Sequence, residues 1–325
     1  MQNILVVGSI NMDMISSVGH FPTVGETLTC EHFSLGCGGK GANQAVAAAR
    51  LGANVTLLAA VGDDEFSPKL LANLQKEGVD TTAVLKVEGS ESGIANVVTC
   101  RGENFIVVAQ GANQYLSKEY LLTHENLFSQ ADIVLAQLEV PMETVECAAQ
   151  LAKKYQKPFI LNPAPAQKIP KSLLEDVTLL IPNEQEFTVS LDLNDSDVFG
   201  LLTFITDQIV LTRGIEGAYF FNPERNQADL QPSFPVNTVD STGAGDTFCA
   251  ALAIYYDLDI AEAVRYACAA AALSVCQSGA QTGMPTQEQL LAFLKARENA
   301  QAGQNPEDEY NQYNPLQQYE NLLSD

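Results

Sequence analysis

The sequence predicts an α/β fold in which a central, mostly parallel sheet lies between helices, with a small antiparallel sheet beside it. Short apolar runs rich in β-branched residues alternate with stretches of helical composition, and this alternation is typical of parallel strands covered by helices. Residues 14–35 and 92–109 instead contain strands and turn residues with no helix between them. These two segments predict the small antiparallel sheet, which is a candidate lid.

The elements follow in order along the chain. The first strand is predicted at 4–9, and a helix that ends at a glycine is predicted at 40–53. Further strands are predicted at 54–62, 132–138, 158–162, 177–183 and 208–212, and further helices at 63–78, 143–154, 243–257, 260–277 and 286–297. We expect one large domain over 1–300. A disordered tail is expected over 301–325, because that stretch is rich in Asn and Gln and contains no Lys or Arg.

The composition limits the classes of partner. The chain has 17 Lys and Arg against 40 Asp and Glu, and the net charge of −23 argues against nucleic acid or an anionic membrane as a general partner. Its seven cysteines contain no C-x-x-C pair, which favours a reducing compartment over a disulfide framework or a zinc site. No basic region precedes the first strand and no long apolar run occurs, so we expect a cytoplasmic protein without a signal peptide or a membrane span.

The stretch "GCGGKGAN" (36–43) contains the pattern G-x-G-x-x-G. A dinucleotide site needs this pattern after the first strand of a βαβ unit, whereas the preceding segment here belongs to the small sheet. A P-loop needs Ser or Thr after its lysine, and Gly41 follows Lys40. Two interpretations remain open. One is a loop whose backbone approaches a polyol, with Lys40 and Asn43 as donors, and the other is a plain strand-to-helix turn.

Polar residues also follow two of the predicted strands. Asn11 and Asp13 in "GSINMD" (8–13) come just past the carboxyl end of the first strand, where ligands bind in open parallel sheets. Their donors and acceptors suit adjacent hydroxyls of a sugar, but an Asx turn is the simpler interpretation of this pair alone. Glu139 follows another strand and is a candidate acceptor of the same kind.

The stretch "DSTGAGDTF" (240–248) is the most specific one. The N–H groups of Gly243, Ala244 and Gly245 would open a helix and form an anion hole for a phosphoryl group in transfer. Asp246 lies in the first turn of that helix. It either stabilises the helix start, or takes the proton from an attacking hydroxyl, and we expect a low pKa for it there.

Residues at the ends of two further strands predict a nucleotide groove. They are Asn183 and Glu186 in "PNEQE" and Thr212 and Gly214 in "LTRGIEGA". Each stretch alone is uninformative. Because the carboxyl ends of parallel strands meet at one edge of a sheet, the two stretches together line the edge where the helix of Asp246 begins.

These motifs occur in the order and spacing of a known family. "GSINMD", "GGKGANQAVAAARLGA", "VGDD", "NPAPA", "PNEQE", "LTRGIEGA" and "VDSTGAGDTF" make residues 3–298 similar to the ribokinase family of carbohydrate kinases. The resemblance implies the ribokinase-like fold with a lid that often dimerises. It also implies ATP-dependent phosphorylation of D-ribose at its 5-hydroxyl, with Mg²⁺ and K⁺ as cofactors and a homodimer formed through the lid.

The resemblance also implies roles by position. Asp246 matches the catalytic base, with Gly243, Ala244 and Gly245 as the anion hole. The sugar-site positions are Asn11, Met12, Asp13, Gly39, Lys40, Gly41, Asn43, Glu139 and Asp246. The nucleotide positions are Asn183, Thr212, Arg213, Gly214, Glu216, Gly217 and Gly245. Glu186 matches the magnesium element, and the potassium positions are Asp240, Thr242, Ser274, Gln277, Gly279 and Gly283.

Three departures from the family pattern stand out. The 187–207 segment is about seven residues shorter than the resemblance leads us to expect, so a helix there is trimmed or lost. Arg213 replaces a residue that is more often small or apolar, and Gly283 replaces a usual Ser, which we expect to loosen the cation loop.

Three rival functions were weighed against ribose phosphorylation. The nearest is a kinase of the same family for deoxyribose, fructose, a keto-deoxy sugar acid or a nucleoside. The others are a non-catalytic sugar-binding protein on this fold and a dinucleotide-dependent oxidoreductase.

Overall fold

A computed structural model describes residues 1–101, 103–193 and 205–301 of the chain. Residues 302–325 of the predicted tail and residues 194–204 of the shortened segment lie outside the described residues. The expectations about them therefore stay predictions.

The main sheet is parallel throughout, as predicted. Its strands run in the order β11-β10-β9-β1-β4-β5, and β6 pairs with the far end of β4. The strands are Asn3–Val7 (β1), Asn54–Gly62 (β4), Val79–Asp80 (β5), Val84–Val87 (β6), Ile133–Ala136 (β9), Phe159–Leu161 (β10) and Leu179–Leu180 (β11). All predicted strands of this sheet are present, and the two short ones at 79–87 were not predicted.

A second sheet continues the main one at its β11 edge. Its strands are Val210–Thr212 (β12), Gly217–Asn222 (β13) and Gln227–Pro232 (β14), and both neighbouring pairs are antiparallel. Parallel bridges from Leu180 to Ile209 and from Asn183 to Thr212 join β12 to the end of β11. The β13–β14 hairpin is absent from the sequence prediction.

The predicted lid is a four-stranded sheet in the order β3-β2-β7-β8. Its strands are Asn11–Ser17 (β2), His32–Gly38 (β3), Gly93–Cys100 (β7) and Glu103–Ala109 (β8). The outer pairs are antiparallel as predicted, and the central pair β2–β7 is parallel. Asn11 and Asp13 do follow β1, but as the first part of β2 rather than in a turn, so the Asx-turn interpretation is wrong.

The helices confirm the six predicted ones and add four short ones. Four of the six are shorter than predicted, whereas the helix predicted at 143–154 begins one residue earlier and the one predicted at 286–297 extends to residue 301. They are Lys40–Arg50 (α1), Ser67–Lys76 (α2), Lys118–Thr123 (α3), Glu125–Gln130 (α4), Met142–Lys154 (α5), Lys171–Leu174 (α6), Glu184–Ser190 (α7), Ala244–Ile254 (α8), Ile260–Ser274 (α9) and Gln287–Gln301 (α10). Within the described ranges, no helix has the length and apolar character needed to cross a membrane.

The alternation of side chains along β1 places a core on each face of the sheet. Ile4 and Val6 face a cluster that contains the alanine-rich helices α1, α8 and α9, while Leu5 and Val7 face the cluster under α3, α4 and α5. Alanine side chains are small, so α1 and α8 pack closely on the same face of the sheet. This packing brings the amino termini of α1 and α8 together.

Candidate active site

A cavity of about 170 Å³ opens at the carboxyl edge of the main sheet, where α1, α7 and α8 begin. Its lining residues are Lys40, Asn162, Ala164, Ile181, Asn183, Glu186, Thr212, Gly243, Gly245, Asp246 and Cys249. A larger cavity of about 410 Å³ lies at the opposite end of the strands, around Asn3, Asn54 and Asp80. It contains none of the predicted site residues, so we place the candidate site at the carboxyl edge.

Asp246 lies in the first turn of α8 and is almost completely buried. Its two carboxylate oxygens each accept a hydrogen bond from a side-chain amide of α1: Oδ2 from Asn43 Nδ2 at 2.9 Å and Oδ1 from Gln44 Nε2 at 3.0 Å. Burial raises the pKa of Asp246, against the charge of Lys40 and the two amide bonds, which lower it. The expectation of a low pKa is therefore wrong, because the helix start cannot offset the loss of solvent.

Lys40 is the cation at the centre of the site. Burial lowers its pKa, but the carboxylates of Asp246, Glu139 and Glu186 outweigh burial and raise the pKa above its usual value. The ammonium group therefore stays charged at neutral pH. It faces carboxylates on the sugar side and on the nucleotide side of the cavity, which makes it suited to hold a transferring phosphoryl group between them.

Glu139 is held by donors from three segments. Its Oε2 accepts from Ser9 Oγ at 2.5 Å, from the backbone N–H of Lys40 at 3.0 Å and from Asn11 Nδ2 at 3.4 Å. Asn11 in turn accepts from Asn113 Nδ2 at 2.8 Å. The structure therefore brings the predicted sugar-site residues Asn11, Lys40 and Glu139 together.

Asp13 shares this side of the site. Burial, followed by the negative charges of Glu139 and Asp246, raises its pKa to about 7. The facing strand makes room for it at Gly38, where a Cβ atom would lie 2.2 Å from Asp13 Oδ2. Two carboxylates and several amide groups thus surround one position, which suits a ligand with several adjacent hydroxyls.

The other predicted sugar-site residues have mainly backbone roles. The side chain of Met12 is fully buried in the core. Gly39 caps α1 with a φ of 92°, and a Cβ atom there would lie 2.7 Å from the Asn11 nitrogen. Gly41 packs against Gly8 and donates its N–H to Ser9 Oγ at 3.3 Å. Glycine at both positions lets α1 begin directly beside the start of β2.

The predicted anion hole forms the start of α8. Gly243 is the N-cap in the left-handed region at φ 79°, and a Cβ atom there would lie 2.4 Å from the Ala280 carbonyl oxygen. A Cβ atom at Gly245 would meet no atom within 4 Å, so this glycine keeps the cavity open. The Ala244 N–H donates to the Ser241 carbonyl at 3.2 Å. The prediction named three anion-binding donors. Because the Ala244 N–H is already bonded, the N–H groups of Gly243 and Gly245 are the better candidates for binding an anion.

The nucleotide side is built on a capping box at α7. Asn183 Oδ1 accepts from the Glu186 N–H, and Glu186 Oε2 accepts from the Asn183 N–H, both at 2.8 Å. Thr212 lies beside them because its N–H donates to the Pro182 carbonyl at 2.9 Å. Burial raises the pKa of Glu186. Asn183 and Glu186 therefore have a local structural role as well as a place in the cavity wall.

Arg213 is occupied by contacts within the protein. Its Nε donates to Glu184 at 2.9 Å, one of its terminal nitrogens donates to Glu216 at 2.6 Å, and the guanidinium lies 6.0 Å from the Tyr219 ring centre. Gly214 and Gly217 have φ values of 53° and 115°. The loop over 212–217 is thus fixed by backbone geometry and by an arginine that ties it to α7.

The residues present fit a magnesium ion that is held mainly by phosphate oxygens. Glu186 and Asp246 are the two carboxylates among the lining residues of this cavity, and Mg²⁺ in phosphoryl-transfer sites takes one or two carboxylates together with phosphate oxygens and water. In the part of the chain that the structure describes, no group of three or more His, Cys, Asp or Glu residues could hold a metal ion by itself.

The predicted potassium positions lie on two loops that are joined by a hydrogen bond. Asp240 Oδ1 accepts from the N–H and hydroxyl of Thr242, and its Oδ2 accepts from the Gly279 N–H at 2.9 Å. A Cβ atom at Gly283 would lie 2.0 Å from the Ser274 carbonyl oxygen. The expected loosening at Gly283 is therefore wrong, because glycine lets the two backbones pack tightly. With the carboxylate already hydrogen-bonded, backbone carbonyls would have to supply most of the ligands for a cation.

Sequence reasoning missed several polar residues that support the site. They are Ser9, Gln44, Asn113, Gln137, Asn162 and Gln281. Each is buried, and each bonds a predicted site residue or a neighbour of one. The only indication in the sequence was that Ser9, Gln44 and Asn162 lie inside quoted motifs. A lone buried Gln or Asn elsewhere gives no such indication.

Comparison with known proteins agrees with this geometry. The profile of the pfkB family carbohydrate kinases matches residues 1–287. A ribokinase of Bacillus subtilis is 41% identical over 296 residues, which is 90% of this chain and 100% of the relative. A deoxyribokinase of Salmonella typhi is 37% identical over 91% of this chain and 100% of its own length.

A solved structure agrees as well. The ribokinase of Arabidopsis thaliana, complexed with ribose and ATP, superposes with a TM-score of 0.78 at 30% identity, over 90% of this chain and 99% of the other. The match extends over nearly the whole of both chains. The chain therefore belongs to the pfkB family of carbohydrate kinases.

Proposed function

We propose that this kinase transfers the γ-phosphoryl group of ATP to the 5-hydroxyl of D-ribose, giving D-ribose 5-phosphate and ADP. The hydroxyl oxygen bonds to the γ-phosphorus while the bond to the β,γ-bridging oxygen breaks. Asp246 takes the hydroxyl proton. A raised pKa makes its carboxylate a better proton acceptor, while Lys40 and two amides keep it ionised.

One observation carries this proposal: the buried Asp246 carboxylate stands between a polyol-binding side and an anion-binding helix start. Asp13, Glu139 and Asn43 supply groups for sugar hydroxyls, and the glycine N–H groups of α8 supply donors for phosphate. Lys40 lies between the two sides. Bound Mg²⁺, held by Glu186 and the phosphates, would neutralise charge on the phosphate oxygens.

A sugar panel tests the proposal. ADP release is measured with D-ribose, 2-deoxyribose, fructose and adenosine as acceptors, and kcat/KM should be highest for D-ribose. A site that hydrogen-bonds a substrate hydroxyl discriminates strongly against an analogue that lacks it. A higher value for deoxyribose would favour the activity named for the Salmonella relative. No sugar-dependent ADP release at all would contradict the kinase mechanism.

Potassium is proposed as an activator that acts on the loops of Asp240 and Gly279. Their bonds hold the start of α8, so an ion on the adjacent carbonyls would stabilise the anion-hole geometry. The test is ribose-dependent ADP release in a potassium-free buffer balanced with tetramethylammonium, titrated with KCl at constant ionic strength. Activation by potassium above sodium or lithium is expected, and a flat response would exclude the site.

The lid supports a proposed homodimer. Every residue of the edge strand β8 is exposed, including Phe105 (62%) and Val107 (53%), and Phe33 is 53% exposed on the other edge strand. Exposed apolar strands at a sheet edge are an association surface. Light scattering should give a dimer mass for the full chain and a monomer mass for Phe105→Asp.

Domain extent and location remain part of the proposal. A kinase domain over 1–300 is supported by α10, because Leu290, Phe293 and Leu294 pack into the core beside α9. The cytoplasmic location is consistent with seven free cysteines.

A further inference from the structure

We propose that Gln281 is a positioning residue that holds Asn43 and, through Asn43, the carboxylate of Asp246. The inference rests on the proposed function, in which Asn43 binds sugar and Asp246 accepts the proton. Gln281 lies after α9, far from Asp246 in sequence. Its role follows from a chain of side-chain hydrogen bonds.

Three amides stand in series behind the carboxylate. Asn73 Nδ2 donates to Gln281 Oε1 at 2.8 Å, Gln281 Nε2 donates to Asn43 Oδ1 at 3.0 Å, and Asn43 Nδ2 donates to Asp246 Oδ2 at 2.9 Å. Gln281 and Asn43 are both less than 10% exposed. Each of the three donor–acceptor distances lies in the normal range for a hydrogen bond.

The direction of this chain is fixed from its carboxylate end. An ionised carboxylate only accepts, so Asn43 must present its NH₂ group to Asp246 and its carbonyl oxygen to Gln281. Gln281 must then donate, and its own carbonyl oxygen faces the Asn73 donor. Because every amide donates the same way, each bond polarises the next one and strengthens the bond to Asp246.

The backbone of Gln281 is fastened to the same helix as Asn43. Arg50, at the end of α1, donates from Nη1 to the carbonyl oxygens of Gln281 at 2.6 Å and Met284 at 2.9 Å. Arg50 is held in turn by two bonds to Glu77, at 2.7 and 3.0 Å. The amide group of Gln281 is therefore held in a fixed position relative to Asn43.

Two effects follow from losing the Gln281 amide. Asn43 would be free to rotate, so its NH₂ group would no longer be aimed both at Asp246 and at a sugar hydroxyl. We expect a lower kcat and a higher KM for ribose. The KM for ATP should stay within about twofold, because the chain contains no residue from the nucleotide side.

The decisive comparison uses Gln281→Met, Gln281→Glu and Gln75→Met. Methionine matches the length of glutamine but has no N–H donor, and glutamate accepts from Asn73 but has nothing to donate to Asn43. The value of kcat/KM for ribose should fall about tenfold in Gln281→Met and further in Gln281→Glu. Gln75 is the matched control, because it lies exposed on α2 and its side-chain amide donates to Thr81 Oγ1 at 3.0 Å. Its variant should behave as wild type.

A purely structural role would have a different signature. It would lower the Tm and the yield of folded enzyme, but leave kcat and the KM for ribose per folded molecule unchanged. Values within twofold of wild type in folded Gln281→Met would overturn the proposal. If that variant does not fold, Asn73→Leu removes the outermost donor. Its kcat/KM for ribose should fall two- to threefold with the KM for ATP unchanged, and an unchanged value overturns the proposal equally.

A readout that needs no turnover separates this inference from the proposed function. In protein labelled with ¹⁵N in its asparagine side chains, the Asn43 NH₂ protons should exchange slowly with water, and faster in Gln281→Met or Asn73→Leu. Equal exchange rates would overturn the positioning role. If the exchange rates of wild type and the variants differ as expected but the wild-type protein shows no ribose-dependent ADP release, only the proposed function is contradicted.

Discussion

The two sides of the active site are built in different ways. On the sugar side, Glu139 is held by hydroxyl, backbone and amide donors from separate segments, and Asp246 is held by two side-chain amides of α1. On the nucleotide side, the loop over 212–217 is exposed at 214–216, contains two glycines with positive φ and is held by backbone hydrogen bonds and by the ion pairs of Arg213. Ile215 in this loop is 91% exposed. The proposed proton-transfer groups are therefore fixed by a buried network, whereas the proposed nucleotide loop is shaped by its backbone.

The largest effect is expected from Asp246→Asn. Asparagine keeps the shape of the side chain but cannot take the hydroxyl proton, so kcat should fall by at least about 10²-fold. Ribose affinity, measured by calorimetry, should change much less. Asp259→Asn is the control, because Asp259 is the N-cap of α9 and asparagine caps helices equally well. Near-normal turnover of Asp246→Asn would return Asp246 to a helix-stabilising role.

An intermediate effect is expected from Asp13 as a function of pH. Its pKa of about 7 in the folded protein lies above the ordinary value of 3.8, so the carboxyl group is largely protonated at pH 6 and ionised at pH 8. Since the ionised form accepts from two sugar hydroxyls, the KM for ribose should decrease as the pH rises through about 7. In Asp13→Asn the KM should be higher at pH 8 and nearly independent of pH.

The stability of the ligand-free protein should decrease over the pH range in which the affinity for ribose increases. A raised folded-state pKa means that the folded protein binds the proton more tightly than the unfolded chain does. The stabilisation is fully present below about pH 3.8 and is lost as the pH rises through about 7. As the pH rises between these limits, the Tm of wild type should decrease relative to that of Asp13→Asn. Parallel Tm curves for the two proteins would show that the Asp13 pKa is not raised.

The smallest effect is expected from Arg213→Ala, on the nucleotide side. The Arg213 side chain is 16% exposed, but its partners Glu184 and Glu216 are 43% and 50% exposed, so water screens both ion pairs and each contributes up to about 1 kcal/mol. The KM for ATP should therefore rise no more than about fivefold, and the KM for ribose should not change. Arg225→Ala, which removes the exposed pair with Asp229, is the control. If Arg213→Ala lowered activity as much as Asp246→Asn does, the nucleotide loop would have to be positioned as tightly as the groups on the sugar side.

Local sequence patterns predicted the elements that bury apolar runs and the motifs at their ends. The longer parallel strands, the long covering helices and the lid segments were recognised, since apolar periodicity is a local property, whereas the short strands at 79–87 and four short helices were not. The β13–β14 hairpin was missed because it has one face against α9 and many polar residues on the other. The position of Asn11 and Asp13 in a strand was missed because pairing with β3 and β7, which are distant in the chain, decides it.

The sequence by itself determined the fold class, the family and the place of Asp246 at a helix start, because each depends on residues close together in the chain. Only the tertiary structure decided the raised pKa values of Asp13 and Asp246, the tight packing at Gly283 and the path from Gln281 to Asp246. A pKa depends on which distant groups remove solvent and bring charge, and a hydrogen bond between distant residues depends on how helices pack. Neither quantity is written in the spacing of residues along the chain.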